Sequence, residues 1–179
     1  MSFNLRIRLM LFSVLALSAL LFPSVVALPH VQPARTTIKL QSLDGQTYDV
    51  ASMRGSVVLV SFGATWCTPC ITELRALEEL KREYTGKPVK FFWVSIESED
   101  ALTNAKLQRY VKERHLSFPV LRDPQKAAYL QFTTRVRLPT IVFLNKAGEL
   151  DQPVQFGMRS PADSYKSDIR ARLDKLLAE

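Results

Sequence analysis

The sequence contains few of the residues that most often hold metals: two cysteines and two histidines among 179 residues. Both cysteines stand in Cys67-Thr68-Pro69-Cys70, so no second pair is available for a structural disulfide. A zinc site needs further ligands, and His30 and His115 are not at ligand spacing. We therefore expect no metal site and no cofactor. Binding of Cu(I) by the two soft thiolates is an alternative that the composition leaves open.

Dense runs of basic residues are also missing. The formal net charge is +7, from 24 Lys and Arg against 17 Asp and Glu, and the excess is scattered along the chain. A nucleic-acid-binding surface usually comes from a clustered basic stripe. We expect no nucleic-acid partner.

Charge is absent from a long N-terminal stretch. Arg6 and Arg8 precede an apolar run, and no charged side chain follows until His30. A basic start, an apolar centre and a small-residue end are typical of a secretory signal peptide, which we predict over residues 1–27. The alternative is an uncleaved anchor through residues 9–28, because the run is long enough to span a bilayer. Either interpretation predicts that the rest of the chain lies in the periplasm or cell envelope.

The remaining chain divides into a short linker and one domain. Residues 28–35 contain two prolines and no periodicity, so they are predicted to be a linker. Residues 36–179 have the length of a single domain with a full hydrophobic core.

The two cysteines stand where a predicted strand passes into a predicted helix. Residues 57–60 are apolar and mostly β-branched, as in a strand buried on both faces. After Cys70, apolar residues recur at helical spacing, at positions 71, 74, 77 and 80. A helix N-terminus stabilises an anion, so we expect it to lower the pKa of the Cys67 thiol below its ordinary value of about 8.5. Cys67 is then the predicted nucleophile, and Cys70 can resolve a mixed disulfide formed on it.

The other predicted elements alternate between strands and helices before ending in a hairpin and a helix. Asp44-Gly45 predicts a hairpin turn between two short strands. The further predictions are strands over residues 89–96, 118–121, 140–144 and 149–156, helices over residues 98–113 and 123–132, and a terminal helix after Ser160. A β-α-β half followed by a β-β-α half predicts a partly parallel central sheet.

Three segments in this order resemble a known family. Trp66-Cys67-Thr68-Pro69-Cys70 after an apolar strand resembles the thioredoxin active site, and residues 58–74 are more similar to the TlpA/ResA-like envelope thiol-disulfide oxidoreductases. Residues 43–55 and residues 136–148 carry the resemblance upstream and downstream. The resemblance implies an α/β thioredoxin fold, with a central mixed sheet flanked by helices and an N-terminal β-hairpin extension.

The resemblance also implies a proton relay. Glu73 matches the acidic residue that this family carries near the disulfide, and a buried carboxylate there would have a raised pKa. The alternative is a solvated Glu73 paired with Arg75 or Lys81. Ser61 stands where thioredoxin has a buried aspartate, so that relay is not expected here.

Four further residues are implied to face the substrate: Trp66, Pro69, Leu138 and Pro139. The peptide bond before Pro139 is expected to be cis, with the Leu138 backbone beside Cys67 to pair with an extended substrate. Without the family, Trp66 would be interpreted as a core aromatic and Pro69 as an ordinary first-turn proline. Gly63 is a departure, because a tryptophan is common at its position.

These features predict an exported thiol-disulfide oxidoreductase that reduces protein disulfides in the bacterial cell envelope. A membrane thiol-disulfide electron donor would re-reduce it, and the family suggests apocytochrome c or copper-site thiols as substrates. The alternatives are a peroxiredoxin-like antioxidant and a Cu(I)-binding module. A peroxiredoxin uses a Thr-x-x-Cys arrangement, whereas Ala64 stands three residues before Cys67.

Overall fold

Residues 36–179 are described by a computed structural model of the chain. The predictions for residues 1–27 and 28–35, including the alternative anchor through residues 9–28, lie outside the described residues. None of the helices in residues 36–179 combines the length and hydropathy of a membrane span.

The described strands form one mixed sheet, in the order β2-β1-β5-β4-β3-β6-β7. Central strand β3 runs parallel to β4 and antiparallel to β6. The predicted hairpin extension is present, since β1 and β2 pair antiparallel and add to β5. The strands are β1 Lys39–Ser42, β2 Thr47–Asp49, β3 Val57–Gly63, β4 Val89–Ser95, β5 Val120–Arg122, β6 Thr140–Leu144 and β7 Leu150–Phe156.

Strand β3 is buried along its whole length because side chains from both faces meet apolar layers. Val57 and Leu59 belong to a core shared with three helices, α1 (Thr68–Glu83), α2 (Asn104–Glu113) and α3 (Ala162–Ala178). Val58, Val60 and Phe62 point to the opposite core. Because successive side chains of β3 point to opposite cores, the end of β3 and the cysteines after it lie between two packed layers.

Helix α2 begins later than predicted, at Asn104 and not at residue 98. Thr103 caps it, because its Oγ1 accepts a hydrogen bond from the N–H of Lys106 at 3.4 Å. The carbonyl of Leu102 accepts from Arg122 Nη2 at 2.9 Å. This segment is therefore held by β5, and the helix starts at the first residue after a favourable cap.

The helix predicted over residues 123–132 is also wrong, since only a 3-10 turn at Tyr129–Gln131 forms. The N-cap of this turn is Ala128 and not Asp123, although the Asp123 carboxylate accepts hydrogen bonds from the N–H groups of Ala128 and Tyr129 at 3.4 and 2.8 Å. Those bonds lie five and six residues away, which is too far for one continuous helix to begin at Pro124.

Candidate active site

Cys67 and Cys70 form a disulfide at the junction of β3 and α1. Cys67 is the N-cap of α1, and its Sγ accepts a hydrogen bond from the N–H of Cys70 at 3.3 Å. The residue Cys67 is 4% exposed whereas Cys70 is fully buried, so Cys67 is the more accessible of the two. The Cys70 N–H of the first turn points at the Cys67 sulfur, where it and the helix dipole stabilise negative charge on a thiolate.

Trp66 and Pro69 lie on the surface around this disulfide. Trp66 is 66% exposed, so the interpretation of it as a core aromatic is wrong. Pro69 is exposed in the first turn of α1, where a proline is tolerated because the missing N–H would have no partner inside the helix. Their contact with a substrate stays a prediction.

The Leu138–Pro139 peptide bond is cis, as predicted. Leu138 is half-buried and packs against Ala64, Cys67 and Cys70. Pro139 is buried, and its carbonyl accepts from the N–H of Gly157 at 2.7 Å. The structure therefore brings Leu138 to the disulfide across a large separation in sequence.

Glu73 is fully buried on α1, one turn beyond Cys70. Ser61 Oγ donates to Glu73 Oε2 and the Tyr165 hydroxyl donates to Glu73 Oε1, both at 2.8 Å. Burial raises the pKa of Glu73 to about 7, although the two hydrogen bonds oppose that shift. The alternative of a solvated Glu73 is wrong, and the relay role stays a prediction.

Two partners of Glu73 were not predicted as site residues. Ser61 reaches the carboxylate from β3, while Tyr165 reaches it from α3 and is itself fully buried. Burial and the neighbouring Glu73 hold the pKa of Tyr165 well above its usual range. The sequence gives no signal for Tyr165, because a tyrosine in an amphipathic helix is usually interpreted as core packing.

Glu97 holds the loop that leads to the cysteines by accepting hydrogen bonds from it. Glu97 was not predicted as a site residue from the sequence. The N–H and Oγ1 of Thr65 donate to its two carboxylate oxygens at 2.7 and 2.8 Å. A signal was available, because β3 and β4 are parallel and residues after such strands meet at one edge of the sheet.

Gly63 is required by the packing of Trp93. A Cβ at Gly63 would lie 2.5 Å from the indole Nε1 of Trp93, so the indole occupies the space that a side chain at position 63 would need. Trp93 is fully buried on the neighbouring strand β4. The large aromatic side chain that the family often places at Gly63 is thus absent, and an indole from β4 occupies the site next to it.

Among residues 36–179, no three His, Cys, Asp or Glu side chains form a group that could hold a metal ion.

Comparison of the sequence with known families identifies one that matches. The sequence pattern of the AhpC/TSA family matches residues 31–152. The chain belongs to the AhpC/TSA family. This family assignment agrees with the resemblance to redox-active proteins seen in the three sequence segments.

Curated relatives of this AhpC/TSA chain carry oxidoreductase names. It is 28% identical over 131 residues to the thiol-disulfide oxidoreductase ResA of Oceanobacillus iheyensis, covering 72% of this chain and 65% of that protein. It is 32% identical over 111 residues to ResA of Halalkalibacterium halodurans, covering 62% of this chain and 60% of that protein. The matches therefore span less than two thirds of these relatives.

Solved structures confirm the thioredoxin fold of this family member. A putative thiol:disulfide interchange protein DsbE from Chlorobium tepidum superposes with a TM-score of 0.68 at 20% identity, covering 80% of this chain and 94% of that one. The exposed lipoprotein thioredoxin Etrx1 of Streptococcus pneumoniae gives a TM-score of 0.63 at 25% identity, with 78% and 98% covered.

Proposed function

We propose that the chain is an exported thiol-disulfide oxidoreductase that reduces protein disulfides in the bacterial cell envelope. The observation that carries the proposal is the Cys67–Cys70 disulfide, in which Cys67 caps α1 and which contacts Leu138 beside the cis peptide bond. The names of the ResA relatives support the same activity. The basic and apolar pattern of residues 1–27 supports export.

In the reduced protein, the Cys67 thiolate attacks one sulfur of a substrate disulfide. The substrate disulfide breaks, its other sulfur leaves as a thiolate that takes up a proton, and a mixed disulfide forms on Cys67. Cys70 then loses its proton and attacks Cys67, which releases the second substrate thiol. Two electrons pass from the cysteine pair to the substrate, and the pair returns to the disulfide present in the structure.

Glu73 is the proposed proton acceptor for Cys70. It lies three residues further along α1, and burial raises its pKa to about 7. A group with that pKa exchanges protons readily near neutral pH. Its hydrogen bonds with Ser61 and Tyr165 hold the carboxylate in place between β3 and α3.

The proposed direction is reduction, because Thr68-Pro69 between the cysteines makes the pair similar to the reducing thioredoxin site. A membrane thiol-disulfide donor would return electrons to the pair, and apocytochrome c or copper-site thiols are the proposed substrates. The segment 9–28 would hold the protein at the membrane if it is not cleaved.

The test is insulin-disulfide reduction by the full chain with a dithiol as electron source. We expect turnover by the wild type, none by Cys67→Ser, and an accumulated mixed disulfide on Cys67 in Cys70→Ser. Rapid peroxide consumption without insulin reduction would support the peroxiredoxin class. Tight Cu(I) binding without insulin reduction would support the copper module, and either result would contradict the proposal.

A further inference from the structure

The surface beside the disulfide carries unpaired positive charge on one side. Arg135 and Arg137 are exposed in the loop over residues 133–137, which leads directly to Leu138. No Asp or Glu in the described part of the chain lies within ion-pair distance of either guanidinium. Their charge is therefore available to a bound molecule.

The backbone of this loop is held in position by hydrogen bonds to a buried side chain. The fully buried Tyr129 hydroxyl accepts from the N–H of Arg137 at 2.7 Å. The same hydroxyl lies 3.2 and 3.4 Å from the carbonyl oxygens of Arg137 and Arg135, the two groups to which it can donate. Both arginines thus project from an anchored backbone, next to a leucine that contacts Cys67.

A cavity of about 390 Å³ continues this surface along the edge strand β7. Phe156 and Gly157 line it, and they adjoin the cis-proline loop, since Gly157 N–H donates to the Pro139 carbonyl. The guanidinium of Arg137 lies 4.0 Å above the Phe156 ring, so the cavity and the loop meet at one side chain. Two other arginines line the cavity, but Arg159 forms an ion pair with Asp168 and Arg172 forms one with Asp151.

Two exposed acidic residues follow the strand on the other side of β3. Glu99 and Asp100 are exposed in the segment after β4, and β4 lies across β3 from β6 in the sheet. The exposed arginines therefore precede β6, whereas the exposed acidic residues follow β4, on the other side of β3. Such an arrangement favours one sign of charge at each end of a bound chain.

The occupant is an extended chain, because the backbone beside the disulfide is free. Within residues 36–179, the N–H and C=O of Leu138 form no hydrogen bond. An extended peptide can pair with these groups as an added strand does. Exposed Trp66 and Val136, at 66% and 51%, supply apolar contact on the same surface.

We propose that this surface selects extended substrate segments that carry carboxylates near their reactive cysteine. Those carboxylates would lie against the guanidinium groups of Arg135 and Arg137. The inference rests on the proposed function and names the chemistry of its substrate. Electrostatic attraction of this kind acts mainly on the rate of encounter and is screened by salt.

The test uses three matched peptides whose single cysteine is joined to thionitrobenzoate through a disulfide. The flanking residues are glutamate, glutamine or lysine. Release of thionitrobenzoate by an excess of the reduced full chain, which is oxidised in the same step, gives the second-order rate constant. We expect the glutamate peptide to react about 10-fold faster than the lysine peptide at low ionic strength. The ratio should fall below about 2-fold at roughly 0.5 M salt.

Charge reversal identifies the residues. Arg135→Glu should reduce the glutamate-to-lysine ratio to about 3-fold, and Arg135→Glu with Arg137→Glu should bring it to about one or invert it. Arg109→Glu is the matched control, since Arg109 is exposed on α2 and the same charge change there should leave the ratio unaltered. The glutamine peptide reports whether each variant keeps its active pair.

Two failures are distinguishable. Equal rates for the glutamate and lysine peptides, or a preference unchanged by the double charge reversal, would overturn this inference while leaving the oxidoreductase intact. No reaction with any of the three peptides would overturn the proposed function, and this inference with it.

Discussion

Glu73 is the residue at which sequence and structure complement each other best. It lies between the apolar positions 71 and 74 of α1, and only the family resemblance predicted a buried carboxylate there. The structure confirms the burial and adds two hydroxyl partners, Ser61 and Tyr165. Those partners come from β3 and α3, so only the tertiary fold could reveal them.

Glu73→Gln should change how stability depends on pH. The ordinary pKa of this carboxyl is 4.5, and in the folded protein it is about 7. Between those values the unfolded chain loses the proton first, so the free energy of unfolding falls as pH rises, by about 3 kcal/mol in all. The glutamine variant lacks this fall, because its amide stays neutral.

Urea unfolding of the oxidised protein at a series of pH values measures the effect. The difference in unfolding free energy between Glu73→Gln and the wild type should grow with pH up to about 7 and then level off. Parallel pH curves for the two proteins would show that Glu73 titrates at its ordinary pKa.

Gly63 is a second residue whose identity follows from one contact. We expect Gly63→Ala to cost about 1–3 kcal/mol, because its Cβ would lie 2.5 Å from Trp93 Nε1 inside a packed core. In a Trp93→Phe background the same change should cost less, since the smaller ring leaves room. A double-mutant cycle of denaturant unfolding measures the coupling. Equal costs in both backgrounds would refute the steric explanation.

At the scale of elements, the loop between β3 and α1 is held by hydrogen bonds to a residue that follows the end of β4. Glu97 accepts both hydrogen bonds of Thr65, immediately before Trp66 and Cys67. Glu97→Ala leaves the Thr65 N–H without this partner, which should cost about 1–3 kcal/mol and open the loop locally.

Amide hydrogen exchange at Thr65 is the direct measurement for this loop. We expect exchange to be about 10-fold faster in Glu97→Ala, with partial recovery in Glu97→Gln, which keeps one acceptor oxygen. Glu99→Ala is the matched control, because Glu99 is exposed in the same segment. Unchanged protection of Thr65 in Glu97→Ala would mean that the carboxylate does not hold the loop.

Element types were predictable where hydrophobic periodicity was strong. The strand over residues 140–144 has its predicted bounds, whereas the start of α2 does not. The apolar residues 57–60 and the stripe from Cys70 to Leu80 correctly predicted β3 and α1. The start of α2 depended on Arg122 holding the Leu102 carbonyl, a contact between distant segments. The turn at Tyr129–Gln131 likewise depended on how Asp123 directs its carboxylate.

At the scale of the whole molecule, the sheet order explains why distant segments form one site. Strand β3 lies between β4 and β6, so the loops after β3 and β4 and before β6 meet at one edge. The family resemblance predicted this layout, and the solved structures confirm the fold. The uneven charge around the site was not predicted, because it depends on which strands are neighbours.

A redox titration of the Cys67–Cys70 pair tests the direction of electron flow. With Thr68-Pro69 between the cysteines, we expect a potential more negative than about −180 mV, as in reducing members of the fold. Equilibration with a glutathione or dithiothreitol buffer, read by mobility after thiol labelling, gives the value. A potential near about −120 mV would instead indicate an oxidant.

The central claim is that Cys67 is a reactive thiolate because it caps α1. The most direct measurement is the rate of iodoacetamide alkylation of each cysteine in the reduced full chain at neutral pH. We predict that Cys67 reacts at least about 10-fold faster than an ordinary thiol while buried Cys70 reacts slowly. If both cysteines react at the slow rate of an ordinary thiol, the claim is wrong.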